Sequence, residues 1–169
     1  MNGANSEGFF DKLKLLFSSP TRFFEKVSSE GIGPAFIAYI VTLLIAQIVG
    51  VVQQTLLYGL LSFGSWGFSP SRTFGSLFYS AAPFGFLGFF SIILIPFYMA
   101  VFIGLLFAYA GIIFLLAKAF KGSGGYGESF KAVAYSLVPY NIISIVPFVG
   151  GLSIIYSLVL MLFGVMKLH

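Results

Sequence analysis

The sequence predicts an all-α protein, a polytopic membrane helical bundle with four spans, preceded by an amphipathic segment at the membrane surface. Of its 169 residues, 59% are hydrophobic and only 8% are charged, whereas a soluble domain carries about a quarter charged residues. The charges also leave three long uncharged stretches, residues 31–71, 73–117 and 132–166. So little polar surface cannot cover a folded chain of this size in water. We therefore expect lipid to surround most of it.

Residues 1–33 are predicted to form a cytoplasmic segment of two amphipathic helices. Between residues 9 and 17, apolar side chains recur at helical spacing and the charged ones fall on the opposite face. Ser19 is the expected N-cap of the second helix, and Pro20 its first residue. The Phe face suits the acyl chains of a membrane with anionic headgroups, and equally suits packing against the protein's own spans; the two are compatible. The residues assigned to the membrane surface are Phe9, Phe10, Lys12, Lys14, Phe17, Arg22, Phe23, Phe24 and Lys26.

Residues 34–169 are predicted to form the transmembrane domain. A span needs roughly 20 residues of helix, and Pro147, Gly150 and Gly151 provide a turn that folds the last stretch into a hairpin. Lys131 and Lys167 are expected to extend to the membrane interface. The predicted spans are residues 34–58, 88–118, 131–148 and 151–167.

The middle stretch permits either one span or two. With one span, and four in all, the inner side collects eight cations and the outer side only Arg72. With two, the cations divide four against five, which the positive-inside rule disfavours. We therefore predict four spans in a cell membrane with both termini cytoplasmic, residues 73–86 being interfacial or re-entrant, and keep five spans as the alternative.

Apart from Lys118, Lys131 and Lys167 at their ends, the predicted spans contain no acidic, basic or histidine side chain, and the chain has no cysteine. Pumps, voltage sensors and intramembrane hydrolases need such groups at depth. The pattern Gly122, Gly124, Gly127 matches a dinucleotide loop, but a predicted span precedes it, so we interpret it as a linker. We predict no enzyme activity, no cofactor and no metal, and, since the cations form no stripe, no nucleic-acid partner.

Small residues recur every fourth position on the first two spans, and such rows allow close helix contact in lipid. We predict that the two rows meet within one molecule, with homodimerisation as the second choice and the general abundance of Gly and Ala as the plain alternative. The rows are Ala38, Thr42, Ala46 and Gly50, and Ala100, Gly104 and Ala108.

Four amide side chains are predicted at membrane depth: Gln47, Gln53, Gln54 and Asn141. We expect them to bond across helices, or, as a sharper alternative, to line a pore. Pro139 should kink the third span, with Ser136 or Asn141 as a local partner for the freed carbonyl.

Two parts of the sequence resemble the Yip (Ypt-interacting protein) family of multi-pass membrane proteins. The first part begins with residues 124–139 and continues in shorter segments up to His169. Its motif residues are Tyr135, Pro139, Pro147, Gly150 and Gly164. The other, residues 19–27, is similar to the Pro-x-x-Phe-Phe opening of prokaryotic members. The resemblance implies that the third span enters from the cytoplasm, and that a further span usually follows the position of His169. Eukaryotic relatives bind Rab-like GTPases, which reaches this chain only by analogy.

The leading functional hypothesis is a non-enzymatic membrane protein that organises the membrane or scaffolds a partner protein at its inner face. The alternative is a small oligomeric channel or transporter for a solute, lined by the four amides.

Overall fold

The computed structural model describes the backbone of residues 8–65, 74–146 and 149–169; the side chains of residues 54, 55, 57–65, 74–92 and 150 are outside the description. This part of the chain is entirely helical, without a strand. The helices are α1 (Phe9–Ser18), α2 (Pro20–Val27), α3 (Ile32–Ser65), α4 (Phe74–Ala119), α5 (Tyr126–Ile143) and α6 (Gly150–Leu168).

The two short helices α1 and α2 form as the sequence predicts. Pro20 lies in the first turn of α2, where its missing N–H costs nothing. Ser19 occupies the N-cap but makes no side-chain capping bond. Its backbone N–H instead closes α1 by donating to the Leu15 carbonyl at 2.8 Å.

Within the residues that the structure describes, three helices are long and apolar enough to cross a membrane, over Ile32–Gln53, Ile93–Ala119 and Gly151–Leu168. Helix α5 packs against all three of α3, α4 and α6. Eleven of its 18 residues are buried. Because its neighbours separate it from lipid, α5 can carry polar side chains such as Lys131 and Asn141 that an exposed span could not.

Helix α4 runs for 46 residues without a break, or about 69 Å at 1.5 Å per residue. The backbone of residues 74–86 is thus continuous with the span that follows. Their placement at the outer interface stays a prediction, as does the domain boundary at residue 34.

The two rows of small residues do not meet, so this prediction is wrong. On α3, Ala38 and Thr42 are buried, and Thr42 contacts Asn141 of α5. On α4, Ala100, Gly104 and Ala108 are exposed, and a Cβ on Gly104 would touch nothing within 4 Å. Helix α4 is oriented so that another of its faces is buried. The residues of that face are Leu106, Ala110, Ile113 and Ala117.

Candidate functional site

A polar network joins α1 and α2 to α5 at the end of the bundle that carries the lysines. Its centre is Lys131, whose side chain is only 3% exposed. The ammonium donates to the carbonyls of Ser28 at 2.7 Å, Glu30 at 3.0 Å and Val27 at 3.4 Å. Carbonyls at a helix C-terminus lack intrahelical partners and carry partial negative charge. Lys131 therefore caps α2 and is not extended to the headgroups, which corrects the sequence prediction for this residue.

Glu30 completes the network from the other side. Its carboxylate oxygens lie 2.5 Å from the Lys12 ammonium and 3.3 Å from the Tyr135 hydroxyl, which donates to it. Lys12 and Glu30 are each about a quarter exposed. One carboxylate thus ties α1 to α5, and Lys131 ties α2 to the same helix.

Phe23 and Phe24 pack in the protein core, which corrects their assignment to the membrane surface. They are 1% and 0% exposed. The Phe23 ring meets Tyr135 edge-on at 4.8 Å between centroids. A Cβ on Gly164 would lie 3.0 Å from Phe24 ring atoms and from the Ala132 methyl. Because Gly164 has no side chain, the Phe24 ring can pack directly against α6. The apolar face of α2 makes more van der Waals contacts there than it would make at the membrane surface.

The other residues assigned to the membrane surface remain accessible. Phe10 is 81% exposed, and Phe9 and Phe17 are about 40% exposed. Phe17 also stacks on Tyr156 of α6 at 5.8 Å. The charged side chains Lys14, Arg22 and Lys26 are exposed.

A second ion pair fastens α2 to α6. Lys167 donates to the Glu25 carboxylate at 2.6 Å, with both side chains well exposed. The hydrogen bond and charge of Lys167 hold the pKa of Glu25 below its usual 4.5. As a surface pair it contributes little to stability, and it lies at the edge of the contact between α2 and α6 that Phe24 and Gly164 form.

The glycine-rich loop between α4 and α5 closes over the end of α6. The Ser123 N–H and hydroxyl both donate to the His169 carbonyl, at 3.2 and 2.9 Å. A Cβ on Gly124 would lie 2.6 Å from His169 Nδ1, and one on Gly122 2.9 Å from the Ala117 carbonyl. These glycines are explained by close packing of the loop and not by phosphate binding.

The imidazole of His169 is held by α5, where its Nε2 lies 2.8 Å from the Ser129 hydroxyl. Burial lowers the pKa of His169 below 6.5. The negative charge of Glu128 raises this pKa, and the positive charge of Lys118 lowers it further. Glu128 itself accepts a hydrogen bond from the Gly125 N–H at 2.9 Å, in the first turn of α5. In the described residues no group of three acidic or histidine side chains could hold a metal ion.

Two of the four amide side chains, Gln47 and Asn141, line a cavity of about 510 Å³ between α3, α4 and α5, apart from this network. Asn141 also donates to the Thr42 hydroxyl at 3.2 Å, which itself donates to the Ala38 carbonyl at 2.9 Å. Gln53 bonds the Ile145 carbonyl, so the expected cross-helix bonds form for Gln53 and Asn141. The side chain of Gln54 lies outside the description.

One residue from each row of small residues, Ala46 on α3 and Ala108 on α4, lines the cavity, as do the aromatic side chains of Tyr39, Phe102 and Tyr109. Pro139 is buried in α5, and Ser136 donates to the Ala132 carbonyl at 2.6 Å, one turn back. Ser136 is therefore a local partner within the helix, although not for the carbonyl that Pro139 frees.

A family model described as the Yip1 domain matches residues 14–169. This chain belongs to the Yip1 domain family. The resemblance predicted from sequence is confirmed, and the chain is a multi-pass membrane protein. Members of this family are generally non-enzymatic membrane proteins. Searches of curated proteins and of solved structures found no match.

Of the five residues that the sequence resemblance marks as motif residues, Tyr135 belongs to the polar network. Tyr135 bonds Glu30, Gly164 seats Phe24, and Pro139 is buried in α5. Gly150 begins α6, while Pro147 is outside the described residues. Sequence reasoning missed Glu30 and the capping role of Lys131. The available signal was a lysine one turn into an otherwise apolar helix, where burial requires a partner.

Proposed function

We propose that this Yip1 domain protein is a non-enzymatic scaffold with four membrane spans, and that its lysine-bearing end faces the cytoplasm and binds a partner protein. The observation that carries the proposal is the fixed attachment of α1 and α2 to the bundle through Lys131 and Glu30. A preformed surface binds a partner without the cost of ordering it first.

The pairing of α5 with α6 supports four spans. The end of α6 lies beside the start of α5, where His169 contacts Ser129, and the connection between the helices is short. The two helices are 18 and 19 residues long. If α6 crosses the membrane, an antiparallel partner of equal length crosses with it, even though α5 is less apolar.

The grouping of cations supports a cytoplasmic location for this end. Contacts bring residues from three parts of the chain together: Lys12 reaches Glu30, Lys131 reaches the end of α2, and Lys167 reaches Glu25. Positive charge concentrates on the cytoplasmic side of membrane proteins. The accessible lysines and the exposed Phe9 and Phe10 also suit the surface of an anionic membrane.

The polar groups of the network serve structure and supply no catalytic pair. Lys131 is committed to three carbonyls, and Glu30 to Lys12 and Tyr135. A general base or nucleophile needs a free lone pair in reach of a substrate. Binding of a Rab-like GTPase rests on analogy with eukaryotic relatives alone and is not included in the proposal.

Sidedness is tested with single cysteines in this naturally cysteine-free chain. We expect Lys121→Cys to react with an impermeant maleimide only from the cytoplasmic side, and Val146→Cys, at the other end of α5, only from outside. The same accessibility for both variants, or the opposite one, would contradict the four-span arrangement.

Scaffolding is tested with a photoreactive amino acid at Phe9 and Phe10, which are 38% and 81% exposed. In native membranes we expect adducts of protein mass at both positions. Leu152, exposed on α6, is the matched control and should react with lipid alone. Protein adducts missing from both test positions would reject a partner at this end.

The second candidate function is transport of a small solute, and the cavity lined by Gln47 and Asn141 favours it. A volume of about 510 Å³ lies within the range of small-molecule sites. Flux through proteoliposomes should then fall in Gln47→Leu and Asn141→Leu. A wild-type protein that leaves vesicles impermeable removes this candidate.

A further inference from the structure

A long groove separates α4 from α6, with α5 as part of its floor. Its deeper section has a volume of about 250 Å³ and lies between Tyr109 and Ser157. Its outer section, of about 440 Å³, lies between Ile113 and Val165 and reaches His169. Met161 lines both sections, so they adjoin at this residue, and the two together are called the α4–α6 groove.

The groove is apolar along its sides and open laterally. Leu116 and Leu162, one on each wall, are exposed. Along α4 it extends from Tyr109 to Phe120, which is about 16 Å at 1.5 Å per residue. That is about half of the 30 Å hydrocarbon core, so the groove has the depth of a single leaflet.

Two lysines lie close to the mouth of the groove without lining it. In sequence, Lys118 and Lys121 adjoin Ala117, Phe120 and Gly122, which do line it, and the charge of Lys118 acts on His169 at the mouth. Neither lysine has an ion-pair partner among the described residues; Lys118 lies 5.9 Å from the Phe114 ring. The nearby carboxylate, Glu128, is bonded to Gly125 and lies 4.0 Å from Lys131.

We propose that the α4–α6 groove binds one anionic phospholipid, with an acyl chain between the helices and the phosphate at Lys118 and Lys121. The depth matches the chain of one leaflet, and the unpaired ammonium groups match the headgroup charge. A zwitterionic lipid fills the same groove but gains less from the lysines, because it carries no net charge. The site is distinct from the α1–α2 surface and does not depend on a partner protein.

The test is native mass spectrometry of the purified full chain in detergent with added phosphatidylglycerol or phosphatidylcholine. We expect a single lipid adduct, retained about tenfold better for phosphatidylglycerol than for phosphatidylcholine. Lys118→Gln with Lys121→Gln should abolish this preference. Lys167→Gln also removes a positive charge from this end of the bundle, but one that is already paired with Glu25, and should leave the preference intact.

A second variant blocks the chain without changing the charge. Met161→Trp narrows the groove where its two sections join and should remove binding of both lipids. Leu152→Trp places the same ring on an exposed part of α6 and should not. Circular dichroism and size exclusion verify that both variants fold.

The site is rejected if the wild type retains the two lipids equally, if Lys118→Gln with Lys121→Gln keeps the preference, or if Lys167→Gln loses it. Unchanged binding in Met161→Trp would also reject it, as would a mass doubled by a second copy of the chain in place of a lipid adduct.

Discussion

Replacing Lys131 with Met should release α1 and α2 from the bundle while leaving the spans folded. The substitution keeps an unbranched chain of similar length and removes only the charged donor. Three backbone carbonyls around the end of α2 then lose their hydrogen-bond donor. Once detached, an eight-residue helix such as α2 is too short to persist alone.

The size of the effect follows from two opposing terms. Hydrogen bonds to a charged group contribute about 1.5 to 3 kcal/mol each, and two of the three are short, at 2.7 and 3.0 Å. Burying an ammonium costs several kcal/mol, and this cost disappears in the variant. Since the carbonyls left behind lie near the surface, water can reach some of them. We expect a net loss of about 2 to 3 kcal/mol, or an open population about 30 to 150 times larger.

Limited trypsin digestion measures this population, because cleavage after Arg22 or Lys26 requires α2 to unfold locally. The cleavage rate should rise by the same factor of about 30 to 150. Lys14→Met is the control, since Lys14 is exposed on α1, and should change the rate less than threefold. If Lys131→Met is cut no faster than this control, Lys131 does not hold α2 in place.

Other substitutions test the remaining contacts. Gly164→Val should destabilise the docking of α2 by about 1 to 3 kcal/mol, because its side chain would overlap the Phe24 ring; the added variant Phe24→Leu should restore part of it, and additive losses would contradict direct contact. Asn141→Leu should lower the free energy of unfolding in a detergent titration by about 1 kcal/mol through loss of an interhelical bond, and no loss would show that this bond contributes nothing. Lys167→Gln should raise the pKa of Glu25 toward 4.5 in an NMR titration. The carboxylate's contribution to stability is present above pH 4.5 and is lost as the pH falls through its lowered pKa, so the variant should lack this acid-dependent loss; an unchanged pKa would show that Lys167 does not cause the shift.

Sequence patterns predicted the helical class, the membrane environment and the family. All three predictions depend on the polarity and backbone preferences of individual residues, which do not change with tertiary structure. The long uncharged stretches need lipid whatever their packing. Pro20 marks the start of α2 because its ring favours the first turn of a helix.

Patterns along one helix could not show which face would meet protein. The amphipathic pattern of Phe23 and Phe24 is equally compatible with lipid and with protein. The space left by the missing side chain of Gly164 allows Phe24 to pack against α6. Likewise, a row of small residues permits close contact but does not choose a partner. Rotation of α4 left Gly104 facing outward.

Hydrophobicity and the positions of proline and glycine along the chain therefore determined that this protein is a bundle of membrane helices. Tertiary structure alone decided that Lys131 would be buried, because its partners are backbone carbonyls more than 100 positions earlier in the chain. Every residue has a backbone carbonyl, so the sequence does not indicate which of them will accept a hydrogen bond from Lys131. Only the folded arrangement determines which carbonyls lie close enough to compensate a buried charge.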